Sequence, residues 1–190
     1  MSRIITPPIE SASGATAELF SQISKAAGRV PNAYAAIGAH NPAALKAILQ
    51  ADSVPGTLSR QEKEVIKLAV SSASGCDYCQ AAHFLVGKLA GVPQETLKQV
   101  IADQSTGNVR FDALTRFVRK LASNPGTLPE EAFTDIKSAG FSDAEIVEIG
   151  LVVSVITFTN IFNRVNDTAI DFPRCVESTP GSVFRRVGIS

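Results

Sequence analysis

The chain has 190 residues, 45% hydrophobic and 19% charged, which describes one soluble globular domain with a sizeable core. Eighteen basic and eighteen acidic residues cancel to zero formal charge without any lysine or arginine block, so nucleic acid is excluded as the expected partner. Three cysteines leave an odd thiol after any pairing, and the start MSRIITPP lacks the apolar stretch of a secretory signal. The expected compartment is therefore a reducing cytoplasm, where a disulfide is a catalytic state and not a staple.

Helix punctuation recurs along the chain, and strand-like alternation is nowhere sustained. Gly28 closes a segment from about Thr16, Pro31 opens the next, and Asn41-Pro42 sets an N-cap and a proline first turn ahead of AALKAILQ. Ser59 and Glu62 form a capping box for a helix from about Arg60 to Ser74. Gly75 breaks it, and a further helix runs from Cys76 to Ala90 before Gly91. After Pro93, helical patterns cover about Gln94 to Ala102, Arg110 to Ala122 and Pro129 to Ala139. Ser142 and Glu145 make a second capping box, opening a long apolar helix or helix pair that reaches about Ile170. Its most apolar run, Ile149 to Phe162, is interrupted by Ser154, Thr157, Thr159 and Asn160 and is short for a bilayer span of about 20 residues. It reads as a buried core helix, and no membrane partner is expected. From Asp171 onward, DFPRCVESTPGSVFRRVGIS has no period and reads as an arm.

The two capping boxes reveal a faint internal repeat in which Leu58-Ser59 aligns with Phe141-Ser142, Glu62 with Glu145, and Leu68 to Ser71 with Leu151 to Ser154. The expected organisation is a single all-α domain over 1–190, with a motif unit at about 41–91, a degenerate second unit at about 129–170 and an arm at 171–190. In that register Thr159, Phe162 and Asn166 stand where Cys76, Cys79 and His83 stand in the first unit, so the second unit is expected to be structural. Chance agreement between two capped amphipathic helices is the alternative.

Residues 76 to 83 read Cys76-Asp77-Tyr78-Cys79-Gln80-Ala81-Ala82-His83, two thiols and an imidazole at i, i+3 and i+7, one stripe of a helix. Glu64 lies twelve residues upstream in a helical segment, where a carboxylate near that stripe can orient the imidazole or take its proton. Cys76 follows Gly75 at a helix start and Cys79 lies one turn before His83, so both of the effects that lower a thiol pKa are at hand. Metal is not expected, because no second CxxC or HxxxH pair exists and only Cys175 or His40 could complete a site. Read singly, the cysteines could be small buried hydrophobes, His83 a core histidine, and Glu64 a surface ion pair with Lys67 or Arg60. His40 and Tyr78 read as structural, and Cys175 as a spare thiol in the arm.

The spacing of Glu64, Cys76, Cys79, His83 and Gly91, with Val30-Pro31-Asn32, His40-Asn41-Pro42 and the stretch from Phe111 to Asp167, resembles the alkylhydroperoxidase D-like (AhpD-like) branch of the carboxymuconolactone decarboxylase superfamily. The resemblance covers about residues 15 to 170, and its longer, peroxidase-related members are the nearest in pattern. It implies an AhpD-like all-α fold, a homo-oligomer, and catalytic roles for Cys76, Cys79, His83 and Glu64 with no cofactor. It also implies thiol-dependent reduction of a small-molecule hydroperoxide, with a lipoyl- or thioredoxin-like dithiol protein as reductant. On that pattern Cys79 attacks and Cys76 resolves, whereas the helix start favours the reverse. The family pattern often has a histidine just before its second cysteine. Here Tyr78 stands there, and a tyrosine of ordinary pKa cannot share a base role near neutral pH. The rival readings are a carboxymuconolactone decarboxylase-like lyase, which does not need a cysteine pair, and a non-catalytic redox-sensing binding protein.

Overall fold

The computed structural model describes residues 2–173, so Cys175 and the arm from residue 174 onward lie outside the described residues. Among the described residues there are nine α-helices and no strand, an AhpD-like all-α architecture. A short 3-10 turn, Ile9–Ser11, precedes α1 (Gly14–Ala27), α2 (Asn32–His40), α3 (Pro42–Asp52), α4 (Arg60–Ala73) and α5 (Asp77–Leu89). They are followed by α6 (Gln94–Ala102), α7 (Val109–Ser123), α8 (Glu130–Ser138) and α9 (Asp143–Asn166).

Helix α4 is the axis of the fold, packed against α5, α6, α7 and α9, with Val65, Ile66, Leu68 and Ala69 withdrawn completely from solvent. Helices α1 to α3 form a second, smaller cluster around Phe20, Ile23, Val30 and Leu45. Both capping boxes form. Ser59 Oγ accepts from the Glu62 N–H at 3.2 Å while the Glu62 carboxylate accepts from the Ser59 N–H at 2.8 Å, and Ser142 with Glu145 repeats the exchange at 3.2 and 2.7 Å.

The two boxes are tied together by Arg110 of α7. Its Nε donates to Glu62 at 2.7 Å, its Nη2 donates to Glu145 at 2.8 Å, and its guanidinium lies 3.8 Å above the Phe141 ring. A planar fork held by two carboxylates and an aromatic face fixes the starts of α4 and α9 relative to each other. Arg110→Met is expected to lower stability by about 1–2 kcal/mol, since the bridge is partly solvated. Urea unfolding reads this directly, and an unchanged midpoint would leave the bridge without energetic weight.

Two expectations need correction. The motif helix begins at Asp77, not Cys76, because Gly75 at φ 67° closes α4 with a left-handed turn. The Cys76 N–H returns to the Ser71 carbonyl at 3.0 Å and the Gly75 N–H to Ser72 at 3.1 Å, a Schellman closure that leaves Cys76 extended as the N-cap of α5. Helix α9 ends at Asn166, where Asp167 turns left-handed at φ 50°, and it is not the buried core helix that its apolar run announced. It buries Ile149, Val152, Ile156 and three asparagines, and leaves Val147, Ile161 and Val165 more than half exposed. It also runs unbroken past Phe158, the position that aligns with Gly75 in the proposed repeat.

Candidate active site

The four residues of the motif converge where α4, α5 and α9 meet. Glu64 sits in the middle of α4, buried, and its Oε2 is 2.8 Å from Nδ1 of His83 on α5. The other carboxylate oxygen receives Lys67 Nζ at 3.3 Å, and Lys67 reaches on to Asp52 at 2.8 Å. Glu64 is therefore neither a surface ion pair nor a partner of Arg60. Burial opposes its charge, but the two bases His83 and Lys67 overcome that and hold its carboxyl down at about 2. An ionised Glu64 fixes the imidazole tautomer: Nδ1 carries the hydrogen and donates, leaving Nε2 as the lone-pair face one turn from Cys79.

Both cysteines are buried, free thiols. The Cys76 thiol lies below its ordinary range, chiefly through hydrogen bonding with the Cys79 thiol, with Arg164 adding positive charge and burial working against it. Cys79 is held above its range by that same hydrogen bond with Cys76 and by burial. The proton of the pair thus rests on Cys79 and the negative charge on Cys76, at the helix start where exposed N–H groups favour it.

Sequence reasoning missed what α9 supplies. Asn163 donates from Nδ2 to the Cys79 sulfur at 3.2 Å, and its Oδ1, also buried, has no partner among the described residues. Asn160, buried one turn earlier, receives the Ser71 hydroxyl at 3.1 Å. Three asparagines spaced by three within an apolar helix were the available signal, because a buried amide requires a partner. The second unit is therefore not purely structural: it completes the polar shell of the thiol pair.

Two cavities flank the dithiol. On the Cys76 side a space of about 400 Å³ is bordered by Cys76, Tyr78, Asn163, Arg164, Thr168 and Phe172. On the far side a space of about 30 Å³ lies among Tyr34, Asp52, Lys67, His83 and Thr159, room for a water-sized molecule beside the imidazole. Thr159 also interacts with Cys79, so this small space joins the base to the thiol that holds the proton. Tyr78 is a wall, not a base. Its hydroxyl accepts from the Ala33 N–H at 3.1 Å, its ring meets Phe172 edge-on at 5.4 Å, and burial pushes its pKa up. His40 lies apart, hydrogen-bonded to the Ile5 carbonyl at 2.8 Å. Among the described residues no cluster of three or more histidine, cysteine or acidic side chains could hold a metal ion.

With this geometry in view, residues 31–107 match the profile of the carboxymuconolactone decarboxylase family, a segment that holds Glu64, both cysteines and His83. The chain belongs to the AhpD-like/carboxymuconolactone decarboxylase superfamily. The AhpD-core, peroxidase-related protein of Ralstonia eutropha JMP134 superimposes with a TM-score of 0.78 at 21% identity, covering 90% of this chain and 92% of that one. A peroxidase-related protein of Silicibacter sp. TM1040 gives 0.75 at 23% identity over 87% and 90%. The debrominase Bmp8 gives 0.74 at 22% identity over 90% and 94%. These likenesses establish the superfamily fold. Comparison with curated proteins returns no match.

Proposed function

We propose that this protein reduces hydroperoxides through a dithiol/disulfide cycle of Cys76 and Cys79, assisted by His83 and Glu64. The observation that carries the reading is the polarised thiol pair at the head of α5, charge on Cys76 and proton on Cys79, with a Glu64-bound imidazole behind it.

The Cys76 thiolate, facing the larger cavity, attacks one oxygen of the peroxide. The O–O bond breaks, the alkoxide leaves and takes up a proton, and Cys76 becomes a sulfenic acid. Cys79 then gives its proton toward His83 and its sulfur displaces water from Cys76, forming the disulfide. A dithiol of the lipoyl or thioredoxin class returns two electrons and two protons and becomes a disulfide itself. This assigns attack to Cys76 and resolution to Cys79, the reverse of what the family pattern implies. The basis is where the charge lies in the reduced pair.

The expected result is steady consumption of an alkyl hydroperoxide with dihydrolipoamide as donor, and an oxidised form whose peptide map contains a Cys76–Cys79 link with Cys175 free. A single-turnover thiol titration without steady consumption would instead support the redox sensor. Release of bromide from 2,3,4-tribromopyrrole, the ligand in one solved structure of Bmp8, would replace the peroxide by an organohalide.

A further inference from the structure

The outer face of α9 carries an uninterrupted apolar stripe: Val147, Leu151, Ser154, Phe158, Ile161 and Val165, spaced 4, 3, 4, 3 and 4 residues apart. Val147 is 75% exposed, Ile161 56% and Val165 60%. That alternation is a 3.5-residue period, the seam along which one helix accepts another, and it spans about 27 Å at 1.5 Å per residue. Gly150, flanking the seam, has open space where a side chain would stand, so a second backbone can approach closely there.

The stripe is also symmetric about Ile156. Val147 and Val165 lie nine positions to either side of it, Leu151 and Ile161 five, and Ser154 and Phe158 two. We infer that α9 is an isologous docking surface for a second copy of this chain, the two α9 helices packing antiparallel about Ile156.

Antiparallel pairing sets Val147 against the partner's Val165, Leu151 against the partner's Ile161, and the small Ser154 against the large Phe158 of the other chain, so each layer joins complementary sizes. Charge selects the same direction. Asp143, with its side chain 88% exposed although Lys137 also reaches it, marks the acidic end of α9, and the exposed Arg164 marks the basic end. Only the antiparallel arrangement sets each Arg164 toward the partner's acidic end and opposes the two helix macrodipoles, whereas a parallel pair would bring arginine to arginine. The seam passes between the two cavities, with Thr159 at the smaller and Arg164 at the larger, so the partner's helix would stand at the rim of both.

The test is made on the full chain. Sedimentation equilibrium at micromolar concentration is expected to show an even-numbered oligomer, and Ile161→Arg or Val165→Arg to halve its mass with helical circular dichroism and melting temperature unchanged. Orientation is read by cross-linking in a Cys76→Ser, Cys79→Ser, Cys175→Ser background. A mixture of Val147→Cys and Val165→Cys chains forms a mixed disulfide at least tenfold faster than either variant alone. A monomeric wild type, or an oligomer whose mass ignores both arginine substitutions, overturns the proposal. So does preferential self-linking of each single variant, which means parallel helices. By length and composition α9 could also cross a bilayer, and monomers that pellet with phosphatidylcholine vesicles would assign the stripe to lipid. Dimers that appear only when residues 174–190 are deleted would assign it to the chain's own arm.

Discussion

Replacing His83 with alanine lowers steady peroxide turnover about 100- to 10,000-fold, the range expected when a positioned general base is lost. The reason is specific to the second sulfur. Cys79 holds its proton tightly because it shares it with Cys76 and is buried, so it cannot displace water from a Cys76 sulfenic acid until a base takes that proton. His83 presents Nε2 to that task only because Glu64 occupies Nδ1 at 2.8 Å. In the variant, peroxide still consumes the Cys76 thiolate, and the sulfenic acid accumulates where wild type passes to the disulfide. Dimedone trapping followed by peptide mapping in a Cys175→Ser background reads the difference, with Cys76 carrying the adduct. Glu64→Gln gives the same phenotype in weaker form, since an amide can hold the ring but not fix its tautomer as firmly. Turnover within twofold of wild type in His83→Ala, or an adduct on Cys79, would return the first attack to the other sulfur.

How much of this centre was legible in the sequence follows from the range of each interaction. The helix starts at Arg60 and Asp143 were readable because a capping box closes within four residues, and both boxes form at the predicted positions. The stripe of Cys79 and His83 was readable because one turn of one helix relates them. Cys76 slipped out of the helix into the N-cap because Gly75 uses the residue after it to complete the Schellman closure, a demand that a glycine announces without revealing on which side the next helix begins. Asn163 was not legible as a partner of Cys79, since 84 residues of chain separate them and only the packing of α9 on α4 and α5 brings them together. The same limit hid the exposure of α9. A helix apolar on nearly all sides carries no stripe to say which side faces its own core, so its composition read as burial.

Lys67 illustrates the limit in the other direction, because spacing alone gave Glu64 and Lys67 an i, i+3 relation that on most helices is a surface pair of small worth. In the fold both are buried, and Lys67→Met is expected to lower stability by about 2–3 kcal/mol at neutral pH. A buried carboxylate that loses one of its two cations is left partly uncompensated. The pH dependence follows from the direction of each shift. Glu64 is depressed from 4.5 to about 2, so its contribution, about 3 kcal/mol by linkage, is present above about pH 4.5 and is lost as pH falls through about 2. Lys67 is raised above 10.5 by Glu64 and Asp52 against its burial, so its contribution is present below about pH 10.5 and is lost as pH rises through the raised value. Removing Lys67 takes away one of the charges that depress Glu64. The variant should therefore begin to lose stability at a higher pH on acidification than wild type does, in addition to its lower plateau. Urea midpoints collected from pH 3 to pH 8 resolve both effects. Lys67→Arg should recover most of the plateau, and Asp52→Asn, which alters only the exposed end of the chain of charges, should change it by less than about 1 kcal/mol. If the acid limbs of wild type and Lys67→Met coincide, the depressed carboxyl of Glu64 owes its state to His83 alone, and Lys67 serves only the anchoring of α3 on α4.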